Sequence, residues 1–344
     1  MTDHVTSHEG YAKLSQMAFG YATSQILYAA VRLCVLEGLA AGARPVEELA
    51  RALGCDPGAL RRLLRALVVL GVAEEDGAGG FALAELGRPL LAVHPLSIRS
   101  SVLLLGDPAT WGAWGALTHG VRTGEAAFDH VHGRPLFDHL ARHPGLSEIF
   151  NTAMREGAEQ IAPEVPKAYD FGGARTVVDI GGGNGTVLAA ILSAAPGARG
   201  ILFDTAEGAA GAAGTFRRAG VADRCSIETG DFFQGVPEGD VLVVKGVLHD
   251  WDDERCATLL RGCRASIAPG GRLLVLEPVL PPRLDTPEAS GVVMSDIAML
   301  VYTGGRERGG DEFRYLFAAS GFHLAGVTPP LAGSAIRILV ADPV

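Results

Sequence analysis

The chain has 344 residues, of which 48% are hydrophobic and 20% charged, and its formal net charge is −10. This composition is typical of a globular protein with room for two domains. An acidic chain repels nucleic acid and anionic membranes at long range, and neither a membrane-spanning stretch nor a secretory signal is recognisable. The five cysteines form no paired motif, which predicts reduced thiols in a cytoplasmic protein without a metal site.

The first hundred residues predict a helical module. Apolar residues at helical spacing run from about 11 to 40 and cover more than one face, so this helix needs a partner, which a second subunit can provide. A short helix over 44–54 and a second over 60–70, opened by Asp56 and Pro57, precede a hairpin over 72–83. This order of helix, turn, helix and wing is the winged-helix pattern.

A winged helix suggests DNA binding, with the helix over 60–70 in the recognition position. That helix carries Arg61, Arg62 and Arg65, but leucines occupy most of its circumference and the chain is acidic. We therefore interpret the arginines as the solvated edge of a packed helix. A ligand-sensing, DNA-binding regulator stays as the less favoured alternative.

A helical segment follows from about 96 to 168, where bulky apolar residues form a core and one or two could line a pocket for a flat substrate. From residue 175 onward strands and helices alternate, which predicts an α/β fold with a parallel sheet and right-handed crossovers. The predicted strands are 176–180, 200–203, 225–229, 241–244 and 272–276, followed by a helix over 311–320 and strands over 322–327 and 335–341.

The first of these strands runs into a glycine-rich turn, Gly181–Gly185, and then into a helix over 186–194. Glycines let a ligand approach main-chain N–H groups that a Cβ would block. The spacing does not match GxGxxG, and no basic residue lies between 175 and 199, which argues against a dinucleotide or phosphate site. Asp179 and Asp204, at the ends of two strands, suit ribose hydroxyls. A nucleoside with a cationic, phosphate-free tail fits best, and S-adenosylmethionine is the common molecule of this kind; a turn that binds nothing is the alternative.

Three more strands are followed by polar residues at the edge where open α/β sheets bind ligands. Asp231 suits an adenine amino group and Phe232 the ring, although a turn cap and a core aromatic explain this pair about equally well. Lys245 ends the next strand.

A candidate base follows Lys245. With an ordinary pKa of about 6.5, His249 is expected to be a neutral base at cytoplasmic pH. Glu277 and Glu307 are carboxylates that can orient its imidazole and stabilise its charged form, in the manner of a triad without a nucleophile.

Over nearly its whole length the chain resembles the small-molecule O-methyltransferases that include caffeate, hydroxyindole and antibiotic-pathway enzymes. The motifs that carry the resemblance, in the family's order, are Val178–Gly185, Gly230–Phe233, Leu248–Trp251, Cys263–Arg264, Pro269–Leu274, Glu277 and Gly304–Arg308. It implies a Rossmann-like class I methyltransferase sheet preceded by a mainly α-helical, winged-helix-like dimerisation domain, and hence a homodimer. The expected domains are 1–100 for dimerisation, 101–168 for a helical connector contributing to the substrate pocket, and 169–344 for cofactor binding and catalysis.

The resemblance, together with the glycine motif, assigns the site residues. His249 is expected to be the general base, flanked by Glu277 and Glu307. The residues expected to hold S-adenosylmethionine are Asp179, Gly181, Gly182, Gly183, Asp204, Asp231, Phe232 and Lys245. Those expected near the acceptor are Met154, Asp250, Asp296, Met299 and Tyr302.

Two positions depart from the family pattern. Asp204 is followed by Thr205 where the family has leucine, so the resemblance does not predict the conformation of the loop beside the ribose. Arg308 is followed by Gly309 where a helix-capping threonine is usual, which leaves open the start of the last long helix and the setting of Glu307.

The expected reaction is in-line transfer of the sulfonium methyl to a phenolic hydroxyl of a small aromatic natural product, in bacterial secondary metabolism, with His249 accepting the proton. The alternative is an enzyme that binds S-adenosylmethionine without transferring its methyl group, such as a hydroxylase, decarboxylase or pericyclase. The base and both glutamates argue against it, because those reactions need no phenol deprotonation. The sequence identifies neither the acceptor nor its reacting hydroxyl.

Overall fold

The structure is a computed structural model that describes residues 8–344. It divides into two compact units, Met1–Trp111 and Gly112–Val344, with the boundary inside helix α7. The elements of the first unit are α1 (His8–Ala18), α2 (Gly20–Arg32), α3 (Val35–Leu39), β1 (Arg44–Pro45), α4 (Val46–Leu53), α5 (Pro57–Val69), β2 (Ala73–Glu75), β3 (Gly80–Leu83), α6 (Arg99–Gly106) and the start of α7 (Pro108–Gly115).

The helix–turn–helix–hairpin pattern of the first unit has the predicted form. The Asp56 carboxylate accepts the Ala59 N–H at 2.7 Å, and Pro57 occupies the first turn of α5. Strand β1 pairs with β3 and makes the hairpin a three-stranded antiparallel sheet. The sequence did not predict β1, because two residues are too few to show an alternating pattern.

The single helix predicted over 11–40 is wrong, because the chain forms α1, α2 and α3 there. The second break falls at Cys34, which has a left-handed φ of 55°. This turn redirects the chain so that Val35, Leu36 and Leu39 are all buried. Cysteine is not a residue that signals left-handed backbone, so the break has no sequence signature.

The second unit contains a helical segment and then alternating strands and helices. Its further elements are α8 (Leu117–Thr123), α9 (Ala127–His132), α10 (Leu136–Arg142), α11 (Pro144–Ile161), α12 (Val165–Ala168), β4 (Thr176–Ile180), α13 (Thr186–Ala194), β5 (Arg199–Asp204), α14 (Ala212–Arg218), β6 (Cys225–Thr229), β7 (Gly239–Lys245), α15 (Asp253–Ser266), β8 (Ile267–Leu280), α16 (Ala289–Tyr302), β9 (Arg308–Gly309), α17 (Gly310–Ala318), β10 (Phe322–Val327) and β11 (Ile336–Pro343).

The main sheet has the strand order β10-β11-β8-β7-β4-β5-β6, with β9 attached to β8. Strands β4 to β8 are parallel as predicted, whereas β11 and β10 add antiparallel pairs. Residue Ile180 at the end of β4 lies opposite Phe203 of β5 and Val244 of β7. The chain leaves β4 toward β5 and later returns to its other side, which creates the crevice where such sheets bind ligands.

The sheet is buried on both faces. Val177 and Val241 belong to a hydrophobic cluster with helices α13 and α14, whereas Val178 and Leu242 belong to a second cluster with α15 and α17. Successive residues of a strand point to opposite faces, so these β-branched runs hold helices on both sides. The rigid sheet fixes where its polar strand ends lie.

Candidate active site

The glycine-rich turn after β4 has a shape that larger residues could not adopt. A Cβ on Gly182 would lie 2.5 Å from the Asp179 carboxylate and from Leu202, and Gly183 has a left-handed φ of 56°. The Gly183 N–H donates to Asp204 Oδ2 at 2.7 Å and thereby joins the turn to the end of β5. Gly181, Gly182 and Gly183 therefore form a cradle in which backbone is exposed to a ligand.

Two carboxylates border this cradle. Asp179 is 1% exposed, and neither of its oxygens has a hydrogen-bond partner among residues 8–344. Burial, and then the charge of Asp204, raise the pKa of Asp179 to about 7, against the opposing influence of Lys245. Burial also raises the pKa of Asp204. A cationic ligand would relieve the repulsion between the two acids, so the pair fits a sulfonium nucleoside.

The loop beside Asp204 is ordered by the residue that departs from the family pattern. Asp204 Oδ1 accepts the Thr205 N–H at 2.6 Å, and the Thr205 hydroxyl accepts the Gly208 N–H at 3.1 Å. The threonine thus forms a local cap. Each Asp204 oxygen keeps acceptor capacity for a ribose hydroxyl.

Asp231 and Phe232 follow β6 and differ in their surroundings. The Asp231 carboxylate is exposed and accepts the Phe233 N–H at 2.9 Å, which is the turn cap left open by the sequence. A Cβ on Gly181 would lie 4.0 Å from Cε1 of the Phe232 ring, so this aromatic borders the glycine cradle. Phe232 is also in edge-to-face contact with Trp251.

Lys245 ends β7 between acidic groups. The charges of Glu277, Asp179 and Asp250 all act to raise the pKa of its ammonium group, but burial outweighs them and lowers it. Lys245 therefore interacts electrostatically with Asp179 beside the glycine turn and with Glu277 and Asp250 beside His249.

The imidazole of His249 faces two buried carboxylates. Its Nδ1 lies 3.0 Å from Glu307 Oε1 and 3.4 Å from Glu277 Oε2, and its side chain is 20% exposed. Glu277 Oε1 also accepts the N–H groups of Val247 and Leu248, at 2.9 and 2.8 Å. The structure thus brings together the three residues predicted as the catalytic group. Because Nδ1 faces the two carboxylates, Nε2 is the ring nitrogen that can face the hydroxyl of a methyl acceptor.

Helix α16 positions Glu307. The Ser295 hydroxyl donates to Glu307 Oε1 at 2.6 Å, and the Glu307 N–H donates to Asp296 Oδ1 at 2.9 Å. Asp296 therefore supports the catalytic cluster through main chain. Ser295 was not predicted, since a lone serine within an apolar helix gives no sequence signal.

The neutral imidazole expected from the sequence is wrong for the resting cluster. Burial lowers the pKa of His249, but the charges of Glu277, Asp250 and Glu307, and the hydrogen bond to Glu307, outweigh it and raise the pKa to about 10. Burial raises the pKa of Glu277 and brings that of Asp250 to about 6. The imidazole is therefore a stronger base than free histidine and is protonated at neutral pH.

His249, Glu277 and Glu307 also have the spacing of metal ligands. Among residues 8–344, they are the one group of three His, Cys, Asp or Glu side chains whose possible ligand atoms all lie within 4.8 Å of one another. Nitrogen and carboxylate ligands at such spacing could hold a divalent cation. Two interpretations of this cluster therefore compete. Either its members share a proton and His249 acts as a base, or they bind a divalent cation.

Of the residues predicted near the acceptor, four lie on helices α11 and α16, whereas Asp250 lies on the 3₁₀ turn Leu248–Asp250 beside His249. The Tyr302 hydroxyl accepts the Trp114 indole N–H at 2.7 Å, and the two rings meet edge to face. Met299 is half-buried on α16, and Met154 on α11 is 47% exposed. The sequence interpretation assigned the bulky apolar residues of this segment to a core or a pocket wall, and the hydrogen bond between Trp114 and Tyr302 was not predicted.

The glycine cradle, the strand-end acids and the parallel sheet together define a class I methyltransferase fold. The sequence profile of the O-methyltransferase domain matches residues 114–323, and that of the O-methyltransferase dimerisation domain matches residues 15–92. The chain belongs to the O-methyltransferase family.

Relatives with defined names share this architecture. The chain is 41% identical over 345 residues to O-demethylpuromycin-O-methyltransferase of Streptomyces alboniger, covering 99% of this chain and 92% of the relative. It is 41% identical over 332 residues to phenazine O-methyltransferase of Lysobacter antibioticus, covering 96% of each chain.

A solved structure of an O-methyltransferase from neocarzinostatin biosynthesis, in complex with S-adenosylmethionine and 2-hydroxy-5-methyl naphthoic acid, superimposes with a TM-score of 0.81. The two chains are 31% identical, and the match covers 94% of this chain and 96% of that one.

One relative has a name of a different kind. Aclacinomycin 10-hydroxylase of Streptomyces purpurascens is 38% identical over 324 residues, covering 88% of this chain and 82% of the relative. Similarity in this family therefore does not by itself fix the reaction. Among residues 8–344, no helix is both long and apolar enough to span a membrane.

Proposed function

We propose that this O-methyltransferase moves the methyl group of S-adenosylmethionine to a phenolic hydroxyl of a small aromatic natural product, with His249 as the base. The observation that carries the proposal is the placement of His249 against Glu277 and Glu307 at the strand-end crevice. The names of the bacterial relatives support the aromatic acceptor class.

The residues around the glycine cradle fit S-adenosylmethionine. The cradle has room that a Cβ would fill, and the unpartnered, buried Asp179 faces the charge of Asp204 with Lys245 nearby. Asp204 would hold ribose hydroxyls, Phe232 would pack on the adenine ring, and Asp231 would accept from its amino group. When bound, the cofactor supplies an electrophilic methyl group.

The protein's own chemistry is to hold and move one proton. After the resting imidazolium has lost its Nε2 proton to solvent, Nε2 of the neutral ring accepts the proton of the acceptor hydroxyl, while Nδ1–H donates to Glu307 and lies 3.4 Å from the Glu277 carboxylate. A phenol has a pKa of about 10, close to the raised pKa of His249 of about 10. The proton transfer is therefore nearly balanced in energy, whereas transfer to an unperturbed imidazole would be uphill.

The first unit supports a homodimer. Tyr11, Leu14, Met17, Phe19 and Tyr21, on and between α1 and α2, are all more than half exposed, and the dimerisation profile covers most of this stretch. Exposed apolar groups at this density favour burial in a subunit interface. Sedimentation of the full chain at several concentrations should show a dimer, and a monomer throughout would contradict this assignment.

The test of the reaction is an incubation with isotopically labelled S-adenosylmethionine and a panel of phenols and aromatic polyketides. Methyl transfer yields S-adenosylhomocysteine and labelled, methylated product in equal amounts. A hydroxylated or decarboxylated product without label would instead support the non-methylating alternative. The relative named as a 10-hydroxylase is an example of that alternative.

The same assay separates a base from a cation site. The distance of 3.0 Å between Nδ1 and Glu307 Oε1 is that of a hydrogen bond shared by one proton, which favours the base. We expect turnover to survive removal of divalent cations with a chelator. Turnover that is lost on chelation and restored by a cation would favour the metal.

A further inference from the structure

The segment that follows α16 contacts the loop carrying His249 through three consecutive residues. The Arg306 N–H donates to the His249 carbonyl at 2.8 Å, and the Glu307 carboxylate accepts from the imidazole. Arg308 then donates to the carbonyls of Leu248 and Trp251, both at 2.8 Å. The base is thus held by its main chain and its side chain from one short segment.

Arg308 is the most unusual member of this segment, because its charged side chain is 1% exposed. Besides the two carbonyls, its Nε and Nη2 donate to Asp253 Oδ1 at 3.0 and 2.8 Å. Burying a guanidinium is costly unless its donors are paired, and the planar fork can serve several acceptors at once. Its acceptors lie on both sides of His249 in the chain.

The loop that carries His249 is also held through its main-chain N–H groups. Glu277 accepts the N–H groups of Val247 and Leu248, while Arg308 binds the carbonyls of Leu248 and Trp251. The short 3₁₀ turn Leu248–Asp250 therefore has little freedom to rotate the imidazole away from Glu307.

We infer that Arg308 is a positioning residue that fixes the backbone on both sides of His249, so that Nδ1 stays on Glu307 and Nε2 stays aimed at the acceptor hydroxyl. The inference rests on the proposed function, in which His249 takes the proton. Arg308 acts only through His249 and has no contact with reacting groups in this role.

Asp253 completes the arrangement as an anchor at the start of α15. It is half exposed, and although burial acts to raise its pKa, the hydrogen bonds and charges of Arg308 and Arg306 lower it. It stays ionised and balances the buried guanidinium.

The test is a double-mutant cycle with Arg308→Lys and His249→Gln. A lysine keeps the charge but, as a point donor, cannot hold both carbonyls and Asp253. In the native background we expect kcat to fall by about 10²-fold, the scale that misplacement of a reacting group produces. In the His249→Gln background the same substitution should have no further effect, because no base remains to be positioned.

Two further measurements follow the imidazole and the cofactor site directly. NMR titration of labelled His249 in Arg308→Lys should show a pKa shifted from that of the wild type toward the ordinary histidine value, because the contact with Glu307 is loosened. The dissociation constant of S-adenosylhomocysteine should stay unchanged, because the hydrogen bonds of Arg308 go to Leu248, Trp251 and Asp253 rather than to the glycine turn.

The matched control is Arg224→Lys. Arg224 also donates to three main-chain carbonyls, those of Leu192, Ala195 and Ala198, but at the far end of α13. We expect it to lower the melting temperature and leave kcat unchanged. Should Arg308→Lys fail to fold, Asp253→Asn loosens the same anchor from the half-exposed side, and its smaller loss of kcat should show the same dependence on His249.

The inference would be overturned by wild-type kcat in Arg308→Lys, or by an equal loss of kcat in both backgrounds, which would indicate general structural damage. Wild-type turnover of His249→Gln would instead show that His249 is not the base. The single variant His249→Gln tests the proposed function in this way, separately from the role of Arg308.

Discussion

The imidazole Nδ1 of His249 lies 3.0 Å from Oε1 of Glu307, a buried carboxylate that follows 58 residues later in the chain. A buried negative charge stabilises imidazolium far more than a solvated one does. This contact, together with Glu277, converts an ordinary histidine into a base whose strength matches that of a phenolate.

Replacing His249 by glutamine should remove most of the turnover and leave the cofactor site intact. Glutamine keeps a polar side chain but cannot accept a proton at neutral pH, and a positioned base contributes about 10² to 10⁴ in rate. Single-turnover methyl transfer and calorimetric binding of S-adenosylhomocysteine measure the two effects separately. Full activity of this variant at neutral pH would exclude the general-base role.

The pH profile follows from the raised pKa of His249. The reactive form carries neutral imidazole, so below a pKa of about 10 its population, and with it kcat/KM, rises about tenfold per pH unit. The rise should continue until the acceptor itself ionises. We expect an acid limb with an apparent pKa well above that of free histidine, and in His249→Gln a far lower rate at every pH, whose remaining rise follows ionisation of the phenol alone. A limb at the ordinary histidine value would show that the carboxylates do not act on the imidazole.

Glu307→Gln should lower kcat and move the acid limb to lower pH. The amide oxygen can still accept from Nδ1 and from Ser295, but the negative charge that raises the His249 pKa is gone. The loss should be about 10²-fold, less than for the aspartate of a hydrolase triad, because Glu277 faces the same nitrogen. Ser295→Ala is the control, since it removes one hydrogen bond and no charge. A limb at unchanged pH in Glu307→Gln would contradict the electrostatic explanation.

Strong local patterns were the part of this fold that the sequence could predict. Strand Thr176–Ile180 and helix Thr186–Ala194 have the predicted bounds, because a β-branched run, a glycine turn and an apolar helix each carry their own signal. The last long helix begins at Gly310 without a capping threonine, since Glu312 accepts the Gly309 N–H at 2.7 Å.

What the sequence could not predict depends on contacts between distant segments. The residues of the His249 cluster were named from the sequence, but the pKa of the imidazole reflects its burial and the charges of Glu277, Glu307 and the neighbouring Asp250. Arg308 stood in a recognised motif without a role, because its acceptors are main-chain carbonyls that leave no trace in the sequence. The cofactor and acceptor roles assigned to individual residues stay predictions.

Gly305→Ala should disturb the His249 loop through the backbone. A Cβ at this buried position would lie 2.0 Å from the His249 carbonyl oxygen and 2.6 Å from the carbonyl carbon of Asp250. One of the two segments must shift, at a cost of about 1–3 kcal/mol in unfolding free energy, and kcat should fall with it. Gly310→Ala is the control, since a Cβ there meets nothing within 4 Å. Equal stability and kcat in the two variants would contradict the close approach.

Asp179→Asn should change how stability depends on pH. The wild-type carboxyl has a folded pKa of about 7, against an ordinary aspartate pKa of 3.8. Between these values the unfolded chain releases a proton that the folded chain keeps. Wild-type stability therefore falls as pH rises through this interval, by on the order of 4 kcal/mol for this one group. The asparagine variant lacks this loss, so the free energy of unfolding of the variant, relative to wild type, should increase from pH 4 to pH 7 and then level off.

The same variant should bind S-adenosylmethionine more weakly, because it removes a negative charge from the cradle, and the loss should be smaller for S-adenosylhomocysteine, which lacks the sulfonium charge. Urea denaturation across the pH range and calorimetry with both ligands measure the two effects. A constant difference in stability at every pH would mean that Asp179 ionises in the folded protein as freely as in the unfolded chain, and that the paired acids at the cradle do not repel each other.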